Sequence, residues 1–226
     1  MTEEEAAGLP ILLPSGKTWM LEDTVRKLSL RAGLPGARVY DLCASAQRSA
    51  WEKGVSLEDR FALALPASWL VNSPASSAVL RRWALPPARF AWLQLGRALS
   101  ADTTTFTRGA WKDVARDAWP ALGAEPFIVE AASKLLALLV PDRVPLMPEA
   151  ARRFVLGDEA GADVSAFIGI VEFFVAASGA NLEDLSLVAE HHSEVSLTGA
   201  QVLDRLLWFD SEGHRHFPKA QPGSPA

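Results

Sequence analysis

Residues 127–154 read FIVEAASKLLALLVPDRVPLMPEAARRF. From Phe127 to Val140 the only polar side chains are Glu130, Ser133 and Lys134. A run this apolar, with proline just before it at 126, predicts a helix over 126–140 that is buried on most sides. Pro141, Pro145 and Pro148 then end it. Proline cannot continue a helix and drives the residue before it out of helical geometry, so a rigid corner is expected, with a short new helix starting in MPEAARRFVLG.

On a helical wheel Glu130, Ser133, Lys134 and Ala137 share one narrow arc. Glu130 precedes Lys134 by four residues, the favourable order for a pair contributing roughly 0.2–0.5 kcal/mol when exposed. Lys134 then has two readings. Its ammonium can carry a greasy helix to water while its stem covers apolar surface. Alternatively it lines a cleft, where desolvation favours the neutral amine, a nucleophile able to form Schiff bases.

Outward from this segment, period-3.6 patterns dominate and no alternating strand stands out. A helix is expected from Trp19 to Ala32, capped by Thr18 and closed by Gly33. A second follows LPGAR and ends at Lys53 before Gly54. SLEDRFALAL predicts a short helix with a serine cap that ends before Pro66. Short helices joined by turns fit residues 66–90, and PARFAWLQLGRALS is helical. A helix is expected from about Thr107, and another in DVSAFIGIVEFFVAASG, ending at Gly179. LEDLSLVAEHHS and TGAQVLDRLLWF complete the set. The fold class is all-α: a single globular domain of about nine or ten helices over residues 1–217. Residues 1–15 form an extended arm, and 218–226 a disordered tail.

At 226 residues with 49% hydrophobic content, one core suffices without metal or disulfide. Cys43 is the only cysteine, which fits a reducing cytoplasm. The start MTEEEAAGLPILLP lacks the basic and apolar regions of a signal peptide. No apolar segment reaches the roughly 20 residues of a membrane span. A soluble cytoplasmic protein follows, with no membrane partner.

The net charge of −5 is unevenly spread. Residues 76–116 hold seven Lys/Arg against two Asp/Glu, whereas residues 117–226 hold seven against sixteen. Such a basic middle either forms a polyanion-binding face or attracts the acidic remainder of its own fold. Arg81, Arg82, Arg108 and Lys112, with Trp111 among them, are the nucleic-acid-binding candidates, since aromatic rings beside arginines stack nucleobases. Core packing is the other reading of the eight tryptophans.

Two weaker patterns carry less. Gly16-Lys17-Thr18 ends like a phosphate-binding loop, but Ile11 stands where its first glycine belongs. His191, His192, His214 and His216 lie among acidic residues, yet adjacent histidines on a helix diverge by about 100°. No metal site and no cofactor are expected.

Ser133-Lys134-Leu135-Leu136, followed by Pro141-Asp142 and Val144-Pro145-Leu146, resembles a stretch of helical proteins with the fold of 8-oxoguanine DNA glycosylases. FTRGAWKDV and QVLDRLLWF are similar to segments flanking that core in bacterial proteins of this type, mostly uncharacterised. The resemblance covers about residues 105–210. It implies a DNA-glycosylase-like helical fold, with Lys134 as the residue attacking the sugar carbon. Asp142 or Glu149 would be the supporting carboxylate. The family's aspartate falls near position 148, where this chain has Pro148, and VEAAS lacks the glycines of a phosphate-gripping hairpin. The resemblance therefore implies a scaffold with an incomplete catalytic set. The expected function is a non-enzymatic, nucleic-acid-associated or interaction protein, with DNA or another protein as partner. An active base-excision glycosylase/lyase using Lys134 and a protein–protein module are the alternatives.

Overall fold

The computed structural model describes residues 9–70, 77–123, 127–191 and 197–213. Among these the chain forms twelve helices and one antiparallel strand pair. The all-α class holds, in a single globular arrangement.

The strand pair is the main departure from the sequence expectation. β1 (Leu9–Leu12) pairs with β2 (Thr18–Leu21) in the register Ile11↔Trp19. Ile11, Leu13, Trp19 and Leu21 point inward, and their neighbours Leu12 and Met20 point to solvent. Gly16, at φ 80°, makes the turn, so Gly16-Lys17-Thr18 belongs to a hairpin and not to a helix cap. Part of the expected extended arm is thereby a strand. The helix expected from Trp19 starts later, as α1 (Thr24–Ala32). Tertiary contacts override the local capping signal: Trp19 meets Phe154 edge-on at 5.6 Å and donates Nε1–H to Asp210 at 2.8 Å.

α2 (Pro35–Glu52) starts on proline and is followed by Gly54 at φ 72°. α3 (Leu57–Leu70) is capped by Ser56, whose Oγ accepts from the Asp59 N–H at 3.1 Å. It runs through Pro66 where the sequence predicted an end. Phe61, Ala64 and Ser68 are fully or almost fully buried along it, and that packing outweighs one missing N–H. α4 (Ser77–Trp83) and α5 (Ala88–Leu99) follow. The helix expected from Thr107 is two: α6 (Thr103–Thr107) and α7 (Ala110–Leu122), separated by Gly109 at φ 81°.

α8 (Ile128–Leu139) is the apolar helix of the opening segment. Its polar arc is narrower than the wheel predicted. Ser133 and Ala137 are buried, leaving Glu130 and Lys134 to reach water. α9 (Glu149–Leu156), α10 (Val164–Ala180), α11 (Leu182–His191) and α12 (Gly199–Ser211) complete the chain. α12 carries a full capping box, Thr198 with Gln201, and packs against α1, α9, α10 and α11.

No single helix among the described residues is long and apolar enough to cross a membrane. α10 and α11 up to Glu190 pass that test only as a pair bent by 77°. Of α10, Phe167, Ile170, Val171 and Phe174 lie in the core.

Candidate functional site

The proline corner and the helices around it hold the residues singled out by sequence. At the corner each proline removes a backbone donor, and side chains from other elements bind much of what remains. The Met147 N–H donates to Ser133 Oγ at 2.9 Å, and Ser133 in turn donates to the Glu130 carbonyl. The Leu146 N–H donates to Asp204 Oδ1 at 2.7 Å. Arg152 reaches the Met147 carbonyl, and Arg143 reaches the Leu99 carbonyl while its guanidinium lies 4.5 Å from the Phe106 ring centre. Arg60, from α3, donates to the Leu139 carbonyl at the end of α8. The corner is a junction of α3, α5, α8, α9 and α12.

Against this frame the three catalytic candidates have structural partners. Lys134 Nζ lies 2.7 Å from Glu130 Oε1, with 17% of its side chain exposed. Asp142 sits on the surface, where its Oδ1 accepts the Thr198 hydroxyl proton at 2.6 Å. This clasps the corner to the N-cap residue of α12. Glu149 is exposed and pairs with Arg153 one turn on. Glu130 and Glu149 both favour the charged form of Arg152, whose burial pushes its pKa down. Lys134, Glu130, Arg152 and Glu149 thus share a neighbourhood, but the only carboxylate paired with Lys134 among the described residues is Glu130. Ser133→Ala is expected to cost about 1–3 kcal/mol, because the buried Met147 N–H loses its acceptor. Lys134→Met should change stability by no more than about 0.5 kcal/mol. Urea unfolding of both variants checks this contrast.

The nucleic-acid candidates do not form one face. Trp83 Nε1 and Arg82 Nη2 both donate to the Leu122 carbonyl, so the end of α4 meets the C-terminus of α7. Arg108 precedes the N-terminus of α7, roughly 18 Å away at 1.5 Å per residue. Arg81 and Arg82 therefore lie at one end of this helix and Arg108, Trp111 and Lys112 at the other. The Trp111 ring is buried and stacks on Phe106 at 5.2 Å, so it is not placed to stack a base. Lys112 pairs with Glu172 of α10, and Arg97 pairs with Glu58 of α3. The basic segment is thus partly consumed by the acidic regions of its own fold. The core reading of tryptophan holds for Trp19, Trp83, Trp92, Trp111 and Trp119, while Trp51 stays 43% exposed beneath Arg60. His192, His214 and His216 lie outside the described residues. Among the described residues no cluster of potential metal ligands occurs.

Sequence reading missed a buried ionic centre beside the corner. Asp41 of α2 accepts from Arg31 of α1 at 2.9 Å and from Arg205 of α12 at 2.5 Å, one carboxylate oxygen to each. Both guanidinium carbons lie 5.9 Å from the ring centre of the buried Tyr40. Arg205 also donates to the Gln201 carbonyl. Asp204 lies beside Arg205 and faces Leu146. Two buried cations and two carboxylates balance in charge, and each carboxylate has hydrogen-bond donors. The signal available in the sequence was Asp204-Arg205 inside the apolar run QVLDRLLWF. Adjacent helix positions diverge by about 100°, so no single polar stripe exposes both.

Burial pushes the Asp204 carboxyl above its ordinary value, while Arg205 and the Leu146 N–H pull it down. A carboxyl raised on folding contributes stability that is fully present below the ordinary range and lost as pH rises through the folded value. Asn at 204 keeps an oxygen for the Leu146 N–H but does not titrate. From about pH 4 upward, the wild type is therefore expected to lose stability relative to Asp204→Asn. Parallel thermal melts across pH check this.

An open pocket of about 580 Å³ lies where α11 meets the start of α12, lined in part by Leu182, Ser186 and Glu190. Among the described residues Glu190 is its one titratable lining residue. No family model, no curated protein and no solved structure matches this chain. The site's own chemistry is what bears on function.

Proposed function

We propose that this chain is a non-enzymatic binding protein of the cytoplasm, acting by docking to another protein on a base-excision-like helical scaffold. The observation that carries this reading is the occupation of the catalytic candidates. Lys134 is paired with Glu130, Asp142 is bound by Thr198, and Glu149 is paired with Arg153. Ser133, the other half of the Ser-Lys pair, is buried and holds the Met147 N–H. These groups build a corner and an α12 clasp, which is reason enough for the sequence to carry them. Cys43 as the single, free cysteine suits a reducing compartment.

Protein is favoured over DNA as partner because the basic residues are divided between two ends of α7 and several already have acidic partners. The test is fluorescence anisotropy of labelled single- and double-stranded oligonucleotides at about 50 and 200 mM salt, a range over which phosphate-driven binding weakens steeply. No binding at the lower salt is expected. A salt-sensitive complex would return the chain to the nucleic-acid-binding class.

A further inference from the structure

We propose that the corner between α4 and α5 is a docking surface for a short acidic, apolar-bearing segment of a partner protein; this rests on the binding-protein reading above. Leu85 is 62% exposed and Phe90 is 59% exposed, five residues apart across a turn built on Pro86 and Pro87. The Arg89 N–H donates to the Leu85 carbonyl, which sets Arg89 one helical turn beyond Leu85. Arg81 lies four residues before Leu85, on the last turn of α4.

This patch joins two unpaired arginines to two exposed apolar side chains. Among the described residues, the exposed Arg26, Arg97, Arg116 and Arg153 and the half-buried Arg48 each face a carboxylate of this chain, whereas the exposed Arg38 and Arg108 do not. Arg81 and Arg89 are exposed and have no such partner. Two uncompensated guanidiniums flanking two exposed apolar side chains call for carboxylates spaced around an apolar anchor. Arg–carboxylate pairs are geometrically selective and can be bidentate. Aromatic and arginine side chains are the residue types that dominate protein interfaces.

The support beneath the patch is rigid. Trp83, Ala88 and Trp92 are buried under the corner. The two indoles meet edge-on at 4.6 Å, and Trp83 is hydrogen-bonded to the Leu122 carbonyl at 2.8 Å. The prolines fix φ above them. A surface ordered before binding loses little conformational freedom on docking.

A nucleic acid or an anionic membrane would also meet arginines, but both are extended polyanions. The other cations of the basic segment, Arg108 and Lys112, lie at the far end of α7, too distant to extend the pair into a track that a polyanion could follow. A short acidic segment needs only the local pair.

The test is selection of a displayed random 12-residue peptide library on the immobilised full chain, with counter-selection on a Leu85→Ser/Phe90→Ser variant. Those positions are exposed, so the variant's thermal midpoint should match wild type. Enriched peptides are expected to combine Asp or Glu with Leu, Phe or Trp. Their affinity should fall at least tenfold in that variant and in Arg81→Glu/Arg89→Glu. Absence of enrichment, enrichment of basic peptides, or equal binding to the variants would overturn the proposal. So would binding of an oligonucleotide or phosphatidylserine vesicles that is lost in Arg81→Glu/Arg89→Glu. A failed selection with no DNA binding and no catalytic adduct removes this surface alone. A lysine adduct with lesion DNA removes the binding-protein reading itself.

Discussion

Replacing Arg205 with methionine is expected to destabilise the fold by about 3–5 kcal/mol, the usual penalty for removing one member of a buried ion pair. Methionine fills much of the same volume, so the loss would be mainly electrostatic. Asp41 would keep Arg31 but lose its second donor, and Asp204 would lose the neighbouring cation that counters its desolvation. The Gln201 carbonyl would also lose the arginine's N–H. Urea unfolding should show a lower midpoint with an unchanged slope. Asp41→Asn in the same background should cost less than it does in wild type, since the two residues act on one interaction. A loss below about 1 kcal/mol would mean that water reaches the centre and that the three helices are held together by apolar packing alone.

The second large effect is at Trp83. Trp83→Ala is expected to cost about 3–5 kcal/mol, the range for truncating a buried aromatic side chain to alanine. The indole is fully buried, touches Trp92 and donates to the Leu122 carbonyl. Trp83→Phe keeps most of the packing and gives up the hydrogen bond. It should cost about 1 kcal/mol, with Arg82 still serving the same carbonyl. Guanidinium melts of the two variants separate cavity from hydrogen bond. The comparison also reports on the α4–α5 corner, because Trp83 lies directly beneath it in sequence and packing.

Much of the fold was legible in sequence because its strongest signals are local. The apolar run ending at Val140, the three prolines beyond it, and the glycine at 54 each fix backbone geometry without outside help. α8, the corner and the end of α2 came out close to expectation for that reason. The strand pair was not legible. Four-residue strands give a weak alternation, and what holds Trp19 inward is Phe154 and Asp210, more than a hundred residues away in sequence. α3 runs on past Pro66 for a similar cause, since the burial of Ser68 and its neighbours is a tertiary fact.

The candidate site divides the same way. The Glu130–Lys134 pair was readable from i,i+4 spacing. That Ser133 would bind Met147, and that Asp142 would bind Thr198, depended on where the corner meets α8 and α12. Arg31 and Asp41 gave no sign of being buried, because each sits in a helix with other polar residues nearby. Trp111 reads as a base-stacking residue beside Arg108 and Lys112, but Phe106 is its stacking partner in the core.

On the proposed reading Lys134 serves the fold and performs no covalent chemistry. Borohydride trapping of the full chain on a panel of lesion-bearing duplexes tests it most directly, since reduction fixes any Schiff base between an amine and an opened sugar. No protein–DNA adduct with any lesion is the predicted result, for wild type and Lys134→Met alike. An adduct formed by wild type and lost in Lys134→Met would contradict the claim and make the chain a base-excision lyase.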